Sequence, residues 1–424
     1  MTTPASRQKH AYPGNTLFVV FYSFKGGVGR TMALANTGVH LAAAGRKVLA
    51  IDGDLEAPGL STLFNIPNQQ SKPGLVEYIL ELKKQLPPDP EDARRFIEAE
   101  NSLKPPEFGD YIQSISLEGL CATAAHGDCR LDLMPSGAMD AHHIERIENL
   151  GIRDMYASGT GLPLFKRLKQ FLAGQGYDYA LIDSRTGLSE MGIVSTYDLA
   201  DAFVFLSGLN EQNLNGMKIM LHNLEKGAHN QEFKNRPKVF VASPVPLYEE
   251  DLKLQRLQRF EKVLKHKPHV TLTYNPRIAL IEEIFSKKYP DNPLSREYTK
   301  LAGIIRYLAG DTFDRFEKQA REDFKSKNYE RALVNLNHAY SCNPERTTIY
   351  LAGVLQNATD MPLQTGRRFF DFYISISHDR DWRPLDMYAE FLIFHAQRAN
   401  DPQQKKHLVN ESLHLYSDYS SHNQ

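Results

Sequence analysis

The chain has 424 residues, 42% of them hydrophobic and 24% charged, and its 50 basic and 51 acidic side chains leave a formal net charge of -1. That length exceeds one ordinary core and predicts two or three domains. The balance is globular, and it excludes extensive disorder, a nucleic-acid coat and a strongly acidic substrate.

The polar residues 1–15 lack the apolar core of a secretory signal, and no run reaches the ~18 apolar residues of a membrane helix, so a soluble cytoplasmic protein is expected. The three cysteines, Cys121, Cys129 and Cys342, show no metal spacing and predict free thiols in a reducing compartment.

Leu17 to Ser23 is a continuous apolar, β-branched and aromatic run, the pattern of a strand buried on both faces. A glycine-rich loop follows, then a small apolar helix over Thr31 to Ala44 that Gly45 can cap, then a second buried strand, Lys47 to Asp52. Strand, loop, helix and strand form a βαβ unit and imply a parallel sheet. Further strands are predicted at Leu131–Pro135, Tyr179–Asp183, Ala202–Leu206, Val239–Ala242 and Val270–Tyr274, separated by helical stretches such as Leu164–Leu172 and Leu214–Leu224. The fold class is therefore α/β, a twisted parallel sheet of about seven or eight strands with helices on both faces.

Residues 68–128 interrupt this pattern. They are charged and proline-punctuated, with helix expected at Leu75–Lys84 and Pro90–Leu103, and they read as an insertion outside the sheet. A boundary falls near Gly310, dividing an α/β domain, 1–309, from a small all-α domain, 310–424. In the latter, Tyr329, Ala332, Leu333, Leu336 and Ala339 share one helix face ending at Pro344, which matches the second helix of a tetratricopeptide repeat. Ala320–Lys327 would supply its first helix, and Met387–Ala399 and Lys406–Tyr416 would be degenerate partners; a generic helical domain is the alternative.

The chemistry concentrates in Lys25-Gly26-Gly27-Val28-Gly29-Arg30-Thr31. Glycines let the backbone turn its N–H groups onto a phosphate at a helix N-terminus, and a threonine there can ligate Mg²⁺. Nucleoside triphosphate binding with Mg²⁺ follows. The loop departs from GxxxxGK[ST] twice, with lysine at 25 and arginine at 30.

In those departures the chain resembles the ParA/MinD group of deviant Walker A ATPases, whose loop reads KGGxGK[ST]. The resemblance covers most of the first three hundred residues and implies ATP hydrolysis, with Gly26, Gly27, Val28, Gly29, Arg30, Thr31 and Met32 around the nucleotide. It implies a nucleotide-dependent homodimer in which Lys25 reaches the partner's phosphates. Ile51-Asp-Gly-Asp-Leu-Glu-Ala-Pro-Gly59 resembles the segment after the family's second strand, so that Asp54 would orient the attacking water and Asp52 would lie near the metal. Tyr179–Asp183 resembles the Walker B strand, with Asp183 holding Mg²⁺ through water and Ser184–Gly187 at the switch position. Leu133–Gly137 resembles the short strand ending in Pro-x-Gly. Ser243–Pro246, including Pro244, would frame the base, and the absence of an NKxD-like motif favours ATP over GTP.

The expected function is a dimerising ATPase switch that relays its state to a partner protein through the C-terminal helices. The rivals are a nucleotide-binding scaffold with negligible hydrolysis, and a partitioning ATPase on DNA or membrane, for which no dense basic patch is visible. Appended helices beside a KGGVGR loop look like bacterial multi-gene systems of defence or signalling. His142 and His143, near Asp140 and Glu145, read as helix-cap residues rather than a metal site, since no third ligand stands at useful spacing.

Overall fold

The structure is a computed structural model, and it describes residues 16–66, 72–99, 102–117, 129–187, 194, 198–226, 230–280, 282–310, 313–342, 344–356, 361–377 and 383–422. The chain divides into two compact units, residues 1–310 and 311–424.

The first unit is built on strands β1 (Leu17–Ser23), β2 (Lys47–Gly53), β3 (Gln113–Ser114), β4 (Arg130–Met134), β5 (Tyr179–Ser184), β6 (Ala202–Ser207), β7 (Lys238–Val245) and β8 (Val270–Thr273). They form one sheet in the order β3-β4-β2-β5-β1-β6-β7-β8, parallel throughout except for the β3–β4 pair. Successive residues of a strand face opposite sides. Phe18, Val20 and Tyr22 of β1 enter one core layer, while Leu17, Val19 and Phe21 enter the other.

Helices cover both layers. Helix α1 (Arg30–Ala43) and, far along the chain, the helix Pro293–Leu308 pack on the second layer through Ala33, Leu34, Leu41, Leu294, Leu301 and Ile305. Small side chains let α1 lie close to the strands, and Asn36 and Thr37 on it are fully buried. Its end is a Schellman motif: Gly45, at φ +77°, donates to the Ala42 carbonyl at 2.8 Å and Arg46 to that of Leu41 at 3.2 Å.

The strands agree with the sequence reading, whereas the insertion requires a correction. It belongs to the sheet and to its core. β3 pairs antiparallel with β4, with Ser114 Oγ donating to Asp132 at 2.7 Å. Helix α2 (Leu60–Leu63) precedes it, and α3 (Leu75–Lys83) and α4 (Pro90–Glu98) lie within it. Leu75, Val76, Tyr78, Ile79, Leu82 and Ile97 are buried in the first core layer, beside β1 and β5. A two-residue edge strand has no readable periodicity, and the charged stretch between α3 and α4 conceals how apolar their inner faces are. Helix α4 also stops short of Leu103, because Ala99 turns extended at ψ 136° and Arg167 binds the Ile97 and Ala99 carbonyls, both at 3.1 Å.

The second unit consists, among the described residues, of helices Phe313–Lys325, Tyr329–Cys342, Pro344–Leu355, Leu363–Ile376, Arg383–Arg398 and Pro402–His422. Ala332, Leu333, Leu336 and Ala339 are buried as their spacing predicts, and the core adds Phe369, Phe370, Tyr373, Phe391 and Leu392. The helices at 344–355 and 363–376 have no counterpart in the sequence reading. Of the cysteines, Cys129 is partly exposed and outside any disulfide; Cys121 and the side chain of Cys342 lie outside the described residues. No helix among the described residues is long and apolar enough to cross a membrane.

Candidate functional site

Three neighbouring strands, β2, β5 and β1, deliver the candidate residues to the carboxyl edge of the sheet. The register sets Asp52 beside Asp183 and Phe21 on the other side of Asp183. Ligands bind at this edge in open α/β sheets because the strands end there and the connecting loops open.

From β1 the chain passes through Lys25, Gly26 and Gly27, all exposed, to Gly29 and α1. Gly27 and Gly29 both hold φ +76°, a left-handed conformation that suits glycine and turns successive N–H groups to one side. Helix α1 has no side-chain cap, so the positive end of the helix faces the loop bare. The Val28 carbonyl accepts a 2.7 Å hydrogen bond from the buried Ser243 hydroxyl of β7, which pins the loop from behind.

The loop walls a cavity of about 600 Å³. Gly26 to Met32 line one side; Asp54, Ala57, Gly59, Thr62 and Leu63 line another, with Ser23, Thr186 and Glu282 also contributing. Thr31 contacts the turn after β2 closely, since a methyl group on Gly59 would stand 3.3 Å from Thr31 Cγ2. Lys25 and Pro244 are exposed and do not line the cavity.

Arg30 is the electrostatic centre. It is 7% exposed; its Nε donates to Asp183 Oδ1, and its terminal nitrogen Nη2 donates to Asp54 Oδ2 at 3.0 Å. Burial works against the arginine charge, but Asp183 and then Asp54 outweigh it and raise its pKa. Asp183 is itself held up by burial, against the pull of Arg30.

Asp52 has a different task. Its Oδ2 accepts from Gly59 N at 3.1 Å and Leu60 N at 3.0 Å, and its Oδ1 from Asp54 N at 3.2 Å, so it shapes the turn that presents Asp54. Burial, and next the charge of Asp183, push its pKa up to about 7. These contacts give Asp52 a turn-forming role.

The same turn is tied elsewhere. His143 Nε2 lies 2.7 Å from the Leu55 carbonyl and must be the donor, because a carbonyl only accepts. His142 instead faces Glu145 at 3.3 Å, so the two histidines do not converge. Arg185 pairs with Glu56, across from β5 to the turn after β2. The turn after β4 is bound to the insertion: Leu75 N and Val76 N donate to the Pro135 and Ser136 carbonyls at 2.8 and 2.9 Å, and Glu77 accepts from Gly74 N and Ala138 N.

The site's unsatisfied atoms indicate what it can hold. Asp183 Oδ2, Arg30 Nη1 and Ser23 Oγ are buried without a hydrogen-bond partner. A lone carboxylate oxygen suits a hard divalent cation, and a lone guanidinium N–H suits a phosphate oxygen. No three His, Cys, Asp or Glu side chains among the described residues form a protein-only metal cage. Mg²⁺ does not need one, since it keeps waters and takes phosphate oxygens. Ser23, Thr62, Leu63 and Glu282 escaped the sequence reading, as none sits in a motif of its own, whereas Ala57 and Thr186 lie in segments that it marked.

A glycine nest at a helix N-terminus, with two carboxylates from neighbouring strands, defines a P-loop nucleotide-binding protein. The chain belongs to the CobQ/CobB/MinD/ParA nucleotide-binding domain family, whose model matches residues 19–299. It is 45% identical over 65 residues to an uncharacterized ATP-binding protein of Methanocaldococcus jannaschii; that stretch is 15% of this chain and 24%, about a quarter, of that protein's length. Among solved structures it is similar to the septum site-determining protein MinD of Pyrococcus horikoshii complexed with Mg-ADP, at 20% identity over 70% of this chain and 98% of that one, TM-score 0.49. It is also similar to a ParA family ATPase of Chlorobium tepidum, at 17% identity over 68% and 98%, TM-score 0.46.

Proposed function

We propose that the chain is a Mg²⁺-ATP-dependent switch: two copies close on bound nucleotide, slow hydrolysis releases them, and the second unit passes the state to a partner protein. The observation that carries this reading is the cluster Arg30–Asp54–Asp183, set where the glycine loop, the cavity and the carboxyl ends of β2 and β5 meet. Bound Mg²⁺ would offset phosphate charge and hold the γ-phosphate for in-line attack.

The chain's own groups do the rest. Gly27 to Thr31 bind the phosphates through backbone N–H groups, with the Thr31 hydroxyl and Asp183 at the metal position. Asp54, 14% exposed and lining the cavity, orients the attacking water. Lys25, exposed at the mouth of the loop, is free to reach the partner's nucleotide. In the second unit, among the described residues, Phe313–Lys325 packs with Tyr329–Cys342 and Arg383–Arg398 with Pro402–His422 as two helical hairpins, which supports a tetratricopeptide-like stack and a protein partner, with nucleic acid and membrane outside the reading.

Phosphate release and ATP-dependent mass by light scattering test this together. Asp54→Ala should lose turnover while keeping ATP, and Lys25→Ala should stay monomeric with ATP bound. Normal dimers and turnover in Lys25→Ala would overturn the switch.

One observation favours a second reading, a scaffold with negligible hydrolysis: Arg30 already occupies an oxygen of Asp54. Equal phosphate release by wild type and Asp54→Ala would decide for it. A bacterial defence or signalling setting fits either reading, and neighbouring genes test it.

A further inference from the structure

The guanidinium of Arg30 does something a lysine ammonium does poorly: its fork binds two separate carboxylates at once. Nε meets Asp183 and Nη2 meets Asp54, each from a different strand end, while Nη1 remains unpaired. One positive charge thus stands between the two acids that face the cavity. The third, Asp52, is already bound to three backbone N–H groups. Asp183 Oδ2, buried beside the arginine, is an unpaired acceptor on the metal side.

We propose that Arg30 is an internal cation that fills the divalent-metal position of the nucleotide-free chain and gives it up only when phosphate arrives to receive the guanidinium. Phosphate alone is a poor ligand, because drawing Arg30 away strands the buried Asp183 carboxylate and the partly buried Asp54. Metal alone is a poor ligand, because like charge already holds Asp183 and Asp54. The two together exchange partners without leaving a buried charge bare: Arg30 moves to phosphate oxygens and the metal takes the carboxylates. Nucleotide and metal therefore bind as a coupled pair, and by linkage each tightens the other by one factor.

This rests on the proposed nucleotide site, and the test separates the two. Mn²⁺ serves as probe on the full chain, its binding followed by loss of the free-ion paramagnetic resonance signal, with and without ADP. After subtraction of the Mn²⁺ that ADP holds in a protein-free control, wild type should bind Mn²⁺ at least roughly 50-fold more tightly with ADP than without, within the usual span of coupling energies. Nucleotide-free Arg30→Gln should bind Mn²⁺ at least roughly 10-fold more tightly than nucleotide-free wild type, having lost the competing charge, and Asp183→Asn added to it should abolish that gain.

Arg30→Lys, which keeps a charge but reaches one carboxylate at a time, should fall between them and provides a folded variant if Arg30→Gln does not fold by circular dichroism. Equal Mn²⁺ affinity with and without ADP in a wild type that binds ADP overturns the exchange and leaves the nucleotide site standing. Nucleotide-free Mn²⁺ affinity left unchanged in the folded Arg30 variants overturns it as well. Failure of ADP to bind at any Mn²⁺ concentration overturns the nucleotide site, and the exchange with it.

Discussion

Replacing Ser243 with alanine isolates one hydrogen bond that ties the phosphate loop to the sheet. Its hydroxyl is buried and donates to the Val28 carbonyl at 2.7 Å, across 215 positions of sequence. A methyl group in its place leaves that carbonyl without a donor. Orphaning a buried acceptor costs about 1–3 kcal/mol, against a net worth of about 0.5–1.5 kcal/mol for a neutral bond.

The loss divides between two observables. The folded chain should unfold at lower denaturant, by about 1–2 kcal/mol on a linear extrapolation. The loosened loop must then be ordered by the nucleotide, and about 1.4 kcal/mol of ordering is a tenfold change in Kd. Fluorescence titration should therefore show ATP and ADP weakened alike, by about 5- to 10-fold, because the backbone cradle serves both. A Kd within twofold of wild type for both nucleotides would refute the idea that β7 holds the loop in its binding form.

Other outcomes follow from packing and charge. Gly74→Ala would bring a methyl carbon to 2.1 Å from the Pro135 carbonyl oxygen, and α3 must move; a loss of at least about 2 kcal/mol is expected in denaturant titration. Gly303→Ala meets nothing within 4 Å inside the helix Pro293–Leu308 and should stabilise by about 0.5–1 kcal/mol in the same assay. His40, whose Nε2 lies 3.0 Å from Ser286 Oγ, has its pKa pushed down by burial to about 4 from 6.5. The unfolded chain then binds more protons between those values, so stability is lost as pH falls from about 6.5 toward 4, by up to about 3 kcal/mol. His40→Gln should flatten that part of the pH–stability curve, and a proton NMR titration of His40 should show the low pKa.

The sequence disclosed the sheet because its strands are buried on both faces and read as unbroken apolar runs, as in Leu17–Ser23 and Ala202–Ser207. It disclosed the phosphate loop because glycine at 27 and 29 answers a backbone need that few other residues meet. Long-range ties left no such trace. The Ser243 hydroxyl stands near the end of β7, in a segment whose neighbours suggest base contact, yet it reaches back to the loop. His143 looks like a helix-cap residue and instead holds the Leu55 carbonyl, 88 positions away. The Arg30 bridge was invisible for a related reason: a motif shows that a cation follows the glycines, not that two carboxylates will claim it before any phosphate does.

The strand order has a consequence for how the chain acquires its shape. β1 and β2 are neighbours in sequence but not in the sheet, because β5 lies between them and β1 pairs only with β5 and β6. During synthesis, the first strand and the glycine loop it carries therefore wait unpaired until residue 184 has left the ribosome. Closure at the centre of the sheet joins segments more than a hundred and fifty residues apart, as with Phe21 and Asp183. Late, non-local closure of this kind slows folding and lengthens the time that an apolar strand such as Leu17–Ser23 is exposed to wrong partners. The arrangement that brings the two acids and the loop together at the nucleotide edge thus also makes this unit a slow folder, with early exposure of its first strand.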